Sequence, residues 1–134
     1  MKNRNAIFLS FSAIIVVGSI VGCATVNTAK EAKGEGVKKS YEATYSEVWA
    51  ALPEVIEAAG GKIKETNKTE GYILASFGIS AWSWGEKVAV FCIKKSDTLT
   101  EVEVVNKRAY ALNVTAREWG PKIFKALDVK LGNK

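Results

Sequence analysis

The chain carries few side chains able to do chemistry, and none of its 134 residues is histidine. That excludes His-based triads, Cys–His dyads and His-ligated metal sites. The best-placed carboxylates are Glu101 and Glu103 in "TEVEVV". On one face of a strand they stand roughly 6.8 Å apart at about 3.4 Å per residue, a separation compatible with paired acid/base work. The same alternation predicts a plainer role for both, on the solvated face of a half-buried strand. Asp97 and Asp128 fall in a turn and near a helix end, too dispersed for a hard cation that needs clustered oxygens. Ser80 and Lys87 have the wrong spacing for Ser–Lys catalysis. "GEGVKK" lacks the preceding strand and following helix of a phosphate-cradling loop. The reading is therefore of a non-enzyme without catalytic residues, cofactor or metal. An enzyme using Glu101, Glu103 or a lysine is a minor alternative.

The two cysteines have different surroundings. Cys92 lies inside "VAVFCIKK", where it reads as a small buried apolar residue. Cys23 closes "Ile20-Val21-Gly22-Cys23". Before it come a basic start with Lys2 and Arg4, an apolar run from Ala6 to Val17, and the small residues Gly18 and Ser19. A charged n-region, a short h-region and a small-residue cleavage zone describe an export signal. The apolar run is shorter than the roughly 20 residues that a spanning helix needs.

"IVGC" in this setting resembles the lipobox of bacterial lipoproteins. The resemblance implies that the Cys23 thiol takes a diacylglyceryl group, that cleavage precedes it, and that the new amine is acylated. Two or more acyl chains anchor a protein stably, whereas one does so only marginally. Ala24, in place of an aspartate, implies sorting to the outer membrane, facing the periplasm. In a host with one membrane, the same anchor holds the chain on the outer face of the plasma membrane.

Aromatic residues supply the remaining candidate site. Trp82 and Trp84 in "ISAWSWG" point the same way if that segment is extended. They form either a contact surface for protein, glycan or lipid headgroups, or a cover over the open end of the core. Trp49 and Trp119 read as core. The lysines at 62, 64, 94, 95 and 107, with Arg108, flank the sheet as a solvated edge or attract anionic headgroups. The net charge of +5 falls by two with Lys2 and Arg4, to about +3. That is a mild excess, and with export it argues against nucleic acid.

Three segments follow from the pattern. Residues 1–22 are the signal peptide. Residues 23–36, the lipidated Cys and "ATVNTAKEAKGEG", form a polar flexible tether with a reach of about 20 Å. Residues 37–134 form a single α+β domain.

Within the domain, Tyr41, Ala43 and Tyr45 alternate as a strand. Thr44 precedes Glu47 at capping-box spacing. Val48, Leu52, Val55, Ile56 and Ala59 then trace a helix ended by Gly60-Gly61, with a kink expected at Pro53. A hairpin follows through "GKIKETNK" and "GYILASF", then the apolar strand "EKVAVFCIKK", then a strand from Leu99 with one wet face. Trp119, Ile123, Leu127 and Leu131 mark a closing helix over 113–131. It is either kinked at Gly120-Pro121 or starts with Pro121 as its first residue.

The order β-α-β-β-β-β-α predicts a two-layer sandwich: an antiparallel sheet of four to five strands with two helices on one face. The stretch from "ATYSEVWAAL" to "REWGPKIFKAL" resembles small α+β periplasmic lipoprotein domains of unknown function, a likeness that implies fold rather than activity. The functional expectation is a non-enzymatic, membrane-anchored binding or accessory module, with an envelope protein as partner. The alternative is a small-ligand or lipid carrier of the envelope.

Overall fold

The structure, a computed structural model, describes residues 26–78, 85–107 and 119–132. The elements are α1 (Val26–Glu31), β1 (Val37–Tyr41), α2 (Tyr45–Ala58), β2 (Gly61–Asn67), β3 (Tyr72–Phe77), β4 (Glu86–Lys94), β5 (Thr100–Lys107) and α3 (Trp119–Leu131). The five strands form one open antiparallel sheet in the order β1-β5-β4-β3-β2. The α+β architecture expected from the pattern is the one observed.

Local chemistry explains where α2 begins and ends. The Thr44 hydroxyl accepts from the Glu47 backbone amide, and the Glu47 carboxylate accepts from the Thr44 amide at 2.8 Å. Two of the amides that a helix start leaves unpaired are thereby satisfied. Beyond Ala59 the chain turns through Gly60 at φ 96°, a conformation that glycine adopts without strain. Pro53 lies within α2 without ending it. In α3, Pro121 is the third described residue of the helix, and residues 113–118 of the expected closing helix lie outside the described residues.

Both long helices pack on one face of the sheet. Val48, Leu52, Val55 and Ile56 of α2 and Ile123, Phe124 and Leu127 of α3 meet Ile73, Ala75 and Phe77, Val88 and Val90, and Val102 and Val104. Cys92 belongs to this core at 4% exposure. The antiparallel register puts alternate residues of neighbouring strands on the same face, so β3, β4 and β5 supply one continuous apolar surface.

The second face differs from the expectation. Tyr72, Leu74, Ala89, Phe91 and Val105 form an apolar cluster there, and Ala29 and Ala32 pack onto it. The segment read as a flexible tether thus contains α1 and covers this face. The wet face expected for β5 is not wet at Glu103, which is 1% exposed. The physical reason is that β3 and β4 are apolar on both sides, a pattern that requires cover on both.

The edges carry charge, although Val37 of β1 is also exposed. On β1, Lys38 and Lys39 are exposed, and on β2 Lys62, Lys64 and Glu65 are exposed. The β2 register shifts between Ile63 and Glu65. Charged side chains and a bulge both discourage pairing with another chain.

The capping box gives a pH-dependent prediction. Thr44→Ala should cost about 1 kcal/mol at neutral pH, read from the urea midpoint. Hydrogen bonds from the Thr44 amide and hydroxyl lower the Glu47 pKa from its ordinary 4.5. Its contribution is therefore present above that ordinary value and is lost as pH falls through the lowered folded value. The gap between Thr44→Ala and the parent chain should narrow in acid.

Candidate functional site

Glu103 does not stand beside Glu101 as a free acid/base pair. Its Oε1 accepts from the Gly34 amide at 2.6 Å and the Gly36 amide at 2.9 Å. A carboxylate removed from water needs such donors, and hydrogen bonds to a charged group are stronger than neutral ones. The approach is close: a Cβ on Gly36 would lie 2.5 Å from the Val104 carbonyl oxygen. Gly34 turns at φ 100°. Glycine is therefore required at both positions for these amides to reach Glu103. Glu101 remains half-exposed, in register with Ser40 and Ile93. The expected solvated pair is thus one structural carboxylate and one surface carboxylate.

A second attachment holds α1. Lys30 Nζ donates to the Tyr72 hydroxyl at 3.1 Å, pairs with Glu70 at 3.0 Å and lies 4.3 Å from the Tyr72 ring centroid. The Tyr72 hydroxyl donates to Glu65. The hydrogen bond to Tyr72, and then that to Glu70, raises the Lys30 pKa above its ordinary value. Lys30 therefore stays cationic and is unsuited to act as a neutral amine base or nucleophile.

A concavity lies elsewhere, between α2 and α3. It is a groove of about 590 Å³. Val55, Ala58, Ala59, Ala126 and Val129 give it an apolar floor, and lysines and Glu54 form its rim. The helical period explains this arrangement. Ile123 and Leu127 face the core, whereas Lys122, Lys125, Ala126 and Val129 fall on another side of α3 at spacings of three and four. Val129 is 79% exposed, an unusual position for a branched apolar side chain. Lys130 pairs with Glu54 at 2.6 Å. Lys122 lies over the Trp119 ring at 4.9 Å. Neither Lys122 nor Lys125 has a carboxylate partner among the described residues. The groove therefore offers an apolar trough with a concentration of positive charge at one end.

The other sequence candidates are dispersed. Cys23, Trp82 and Trp84 lie outside the described residues. Trp119 packs against Phe77 with ring centroids 4.5 Å apart, and its Nε1 donates to Glu86 at 2.9 Å. Trp49 is half-buried and stacks on Tyr45 at 6.0 Å. Lys94 pairs with Asp97 at 2.7 Å and Lys107 with Glu35 at 2.8 Å, so these two flanking lysines have local partners. Asp128 pairs with Lys39 at 2.6 Å. Among the described residues no cluster of three His, Cys, Asp or Glu could hold a metal ion.

Sequence reasoning missed both the attachments of the α1 segment at Glu103 and Tyr72 and the groove. Val129 was the available signal for the groove, an apolar residue off the buried stripe of its helix. Ala29 and Ala32, three apart and followed by "GEG", were the signal for α1.

Two results are expected from these arrangements. Glu103→Ala should destabilise the fold by about 1–3 kcal/mol, because two part-buried hydrogen bonds from the Gly34 and Gly36 amides lose their charged acceptor. Amide exchange should accelerate over residues 29–36. Glu103→Gln keeps an acceptor oxygen and should lose less. Burial pushes the Cys92 thiol up to about 12, so it is protonated at neutral pH. Cys92 should resist alkylation in the native chain and react once urea unfolds it.

No protein family matches the chain, and no curated protein matches it in sequence.

Proposed function

We propose that the chain is a non-catalytic, lipid-anchored binding module of the cell envelope, held through Cys23 and facing the periplasm from the outer membrane. In a host with one membrane it would sit on the outer face of that membrane. The address rests on the lipobox-like sequence. The binding role rests on one observation, the groove between α2 and α3. Its floor keeps Val129 in water, and its rim keeps Lys122 and Lys125 without carboxylate partners among the described residues. Exposed apolar surface framed by charge is the signature of a contact site.

On this reading, partners reach the module from the helix side, because α1 covers the second sheet face. The volume of the groove favours the carrier version of the same role, in which a small ligand takes the place of a protein.

The test joins address and contact. Cys23→Ser should abolish acyl labelling and release the chain from the membrane fraction. A photo-crosslinking residue in place of Val129 should give a discrete adduct in the native envelope, and one in place of Lys95, exposed beyond β4, should not. An unlabelled wild-type chain would reject the anchor. Identical adduct patterns from both positions would reject the groove as the contact site.

A further inference from the structure

We infer that the α2–α3 groove binds a single-chain anionic amphiphile, with the acyl chain on the alanine–valine floor and the acidic headgroup held by Lys122 and Lys125. This rests on the groove being the binding site, and names the ligand class that its chemistry fits.

Size selects the class first. A volume of about 590 Å³ falls within the roughly 300–1,000 Å³ of small-molecule sites. A stable protein interface engages about 20–30 residues on each side. The groove is lined by nine. A flat bilayer would meet the rim lysines without filling the trough. A single flexible chain fills it and removes the floor from water.

Charge selects the headgroup. Three lysines and one glutamate form the rim. Lys130 is taken by Glu54 at 2.6 Å. The positive charge left over is at Lys122 and Lys125, one helical turn apart on α3. Two ammonium groups at that spacing suit a carboxylate or phosphate oxygen, and a charged acceptor makes each contact stronger than a neutral one. The ligand is thereby oriented, with its head toward the start of α3 and its tail along Ala126 and Val129. A neutral chain of equal length would gain the floor and lose the head.

The floor supports the same assignment. Ala58, Ala59 and Ala126 are small enough to leave a trough where larger side chains would close it, and Val55 and Val129 complete its apolar lining. Filling the trough is therefore the most direct way to block it.

The test uses the full chain in nanodiscs of zwitterionic lipid. A photoreactive long-chain fatty acid is added, and labelled peptides are mapped by mass spectrometry. Labelling should concentrate on peptides containing residues 54–59 and 122–130. Lys122→Ala with Lys125→Ala should reduce it about tenfold at limiting probe. The paired Arg variants should retain it, and the alcohol of equal chain length should label weakly. Ala126→Leu should block the trough and lower labelling while both lysines remain. Equal unfolding midpoints for the lysine variants and the parent would confirm that the change is local.

Several results would overturn the assignment. Labelling unchanged by loss of the lysines, or equal for acid and alcohol, would mean apolar partition without recognition. Label displaced by anionic bilayer lipid alone would identify the membrane surface as the occupant. Label displaced only by an acidic amphipathic peptide would identify a protein segment. Acylation of Cys23 is read from the N-terminal peptide in the same digest, so failure of the envelope address and failure of the groove ligand register separately.

Discussion

The Glu103 carboxylate sits where water cannot solvate it, and two backbone amides take water's place. The path of the chain from α1 into β1 depends on that substitution. A charge in an apolar cluster is costly unless donors surround it. Here the donors come from a chain segment 67 and 69 residues away in sequence. The segment reaches Glu103 because Gly34 turns left-handed and Gly36 passes too close to Val104 for any Cβ. The contact therefore closes a long loop and fixes the chain leading into β1. With it in place, Ala29 and Ala32 are held over Leu74, Ala89 and Phe91. A helix of six residues has little stability of its own in water, so α1 exists by virtue of these attachments.

The helix layer on the other face works differently. Its inner surface is filled by Leu52, Ile56, Ile123 and Leu127, large side chains that meet the sheet directly. Its outer surface is built from alanines and valines between charged residues. Small side chains on neighbouring helices leave a trough, and the charges that border it are unevenly distributed. Glu54 neutralises Lys130, whereas Lys122 and Lys125 have no carboxylate partner among the described residues. Packing requirements on the inner surface leave the outer one free to carry recognition.

The order at the start of the described chain bears on how the proposed anchor would act. With Cys23 acylated, only Ala24 and Thr25 separate it from α1. At no more than about 3.6 Å per residue, three steps reach about 11 Å. A random tether running to Gly36 would reach about 20 Å. If that anchor is present, a docked α1 would hold the body nearer the bilayer than a free tether would, and a pull on the lipid would pass through α1 to its attachments at Glu103 and Tyr72.

Much of the architecture is local in origin and could be read in advance. The Thr44–Glu47 capping box, the alternation in β5, the apolar run of β4 and the four-residue recurrence in α3 are each decided by residues near one another in sequence. Short-range periodicity and cap chemistry suffice for them. The tertiary structure alone decided which face each carboxylate would meet, because Glu101 and Glu103 have the same strand pattern and differ only in what folds over them. It also decided that Val26–Glu31, in a polar stretch without period, would form a helix. The apolar demand that recruits it comes from Leu74, Ala89 and Phe91, far along the chain. The groove has the same origin: Ala58 and Ala126 look alike in sequence to any surface alanines, and only the meeting of α2 with α3 sets them side by side.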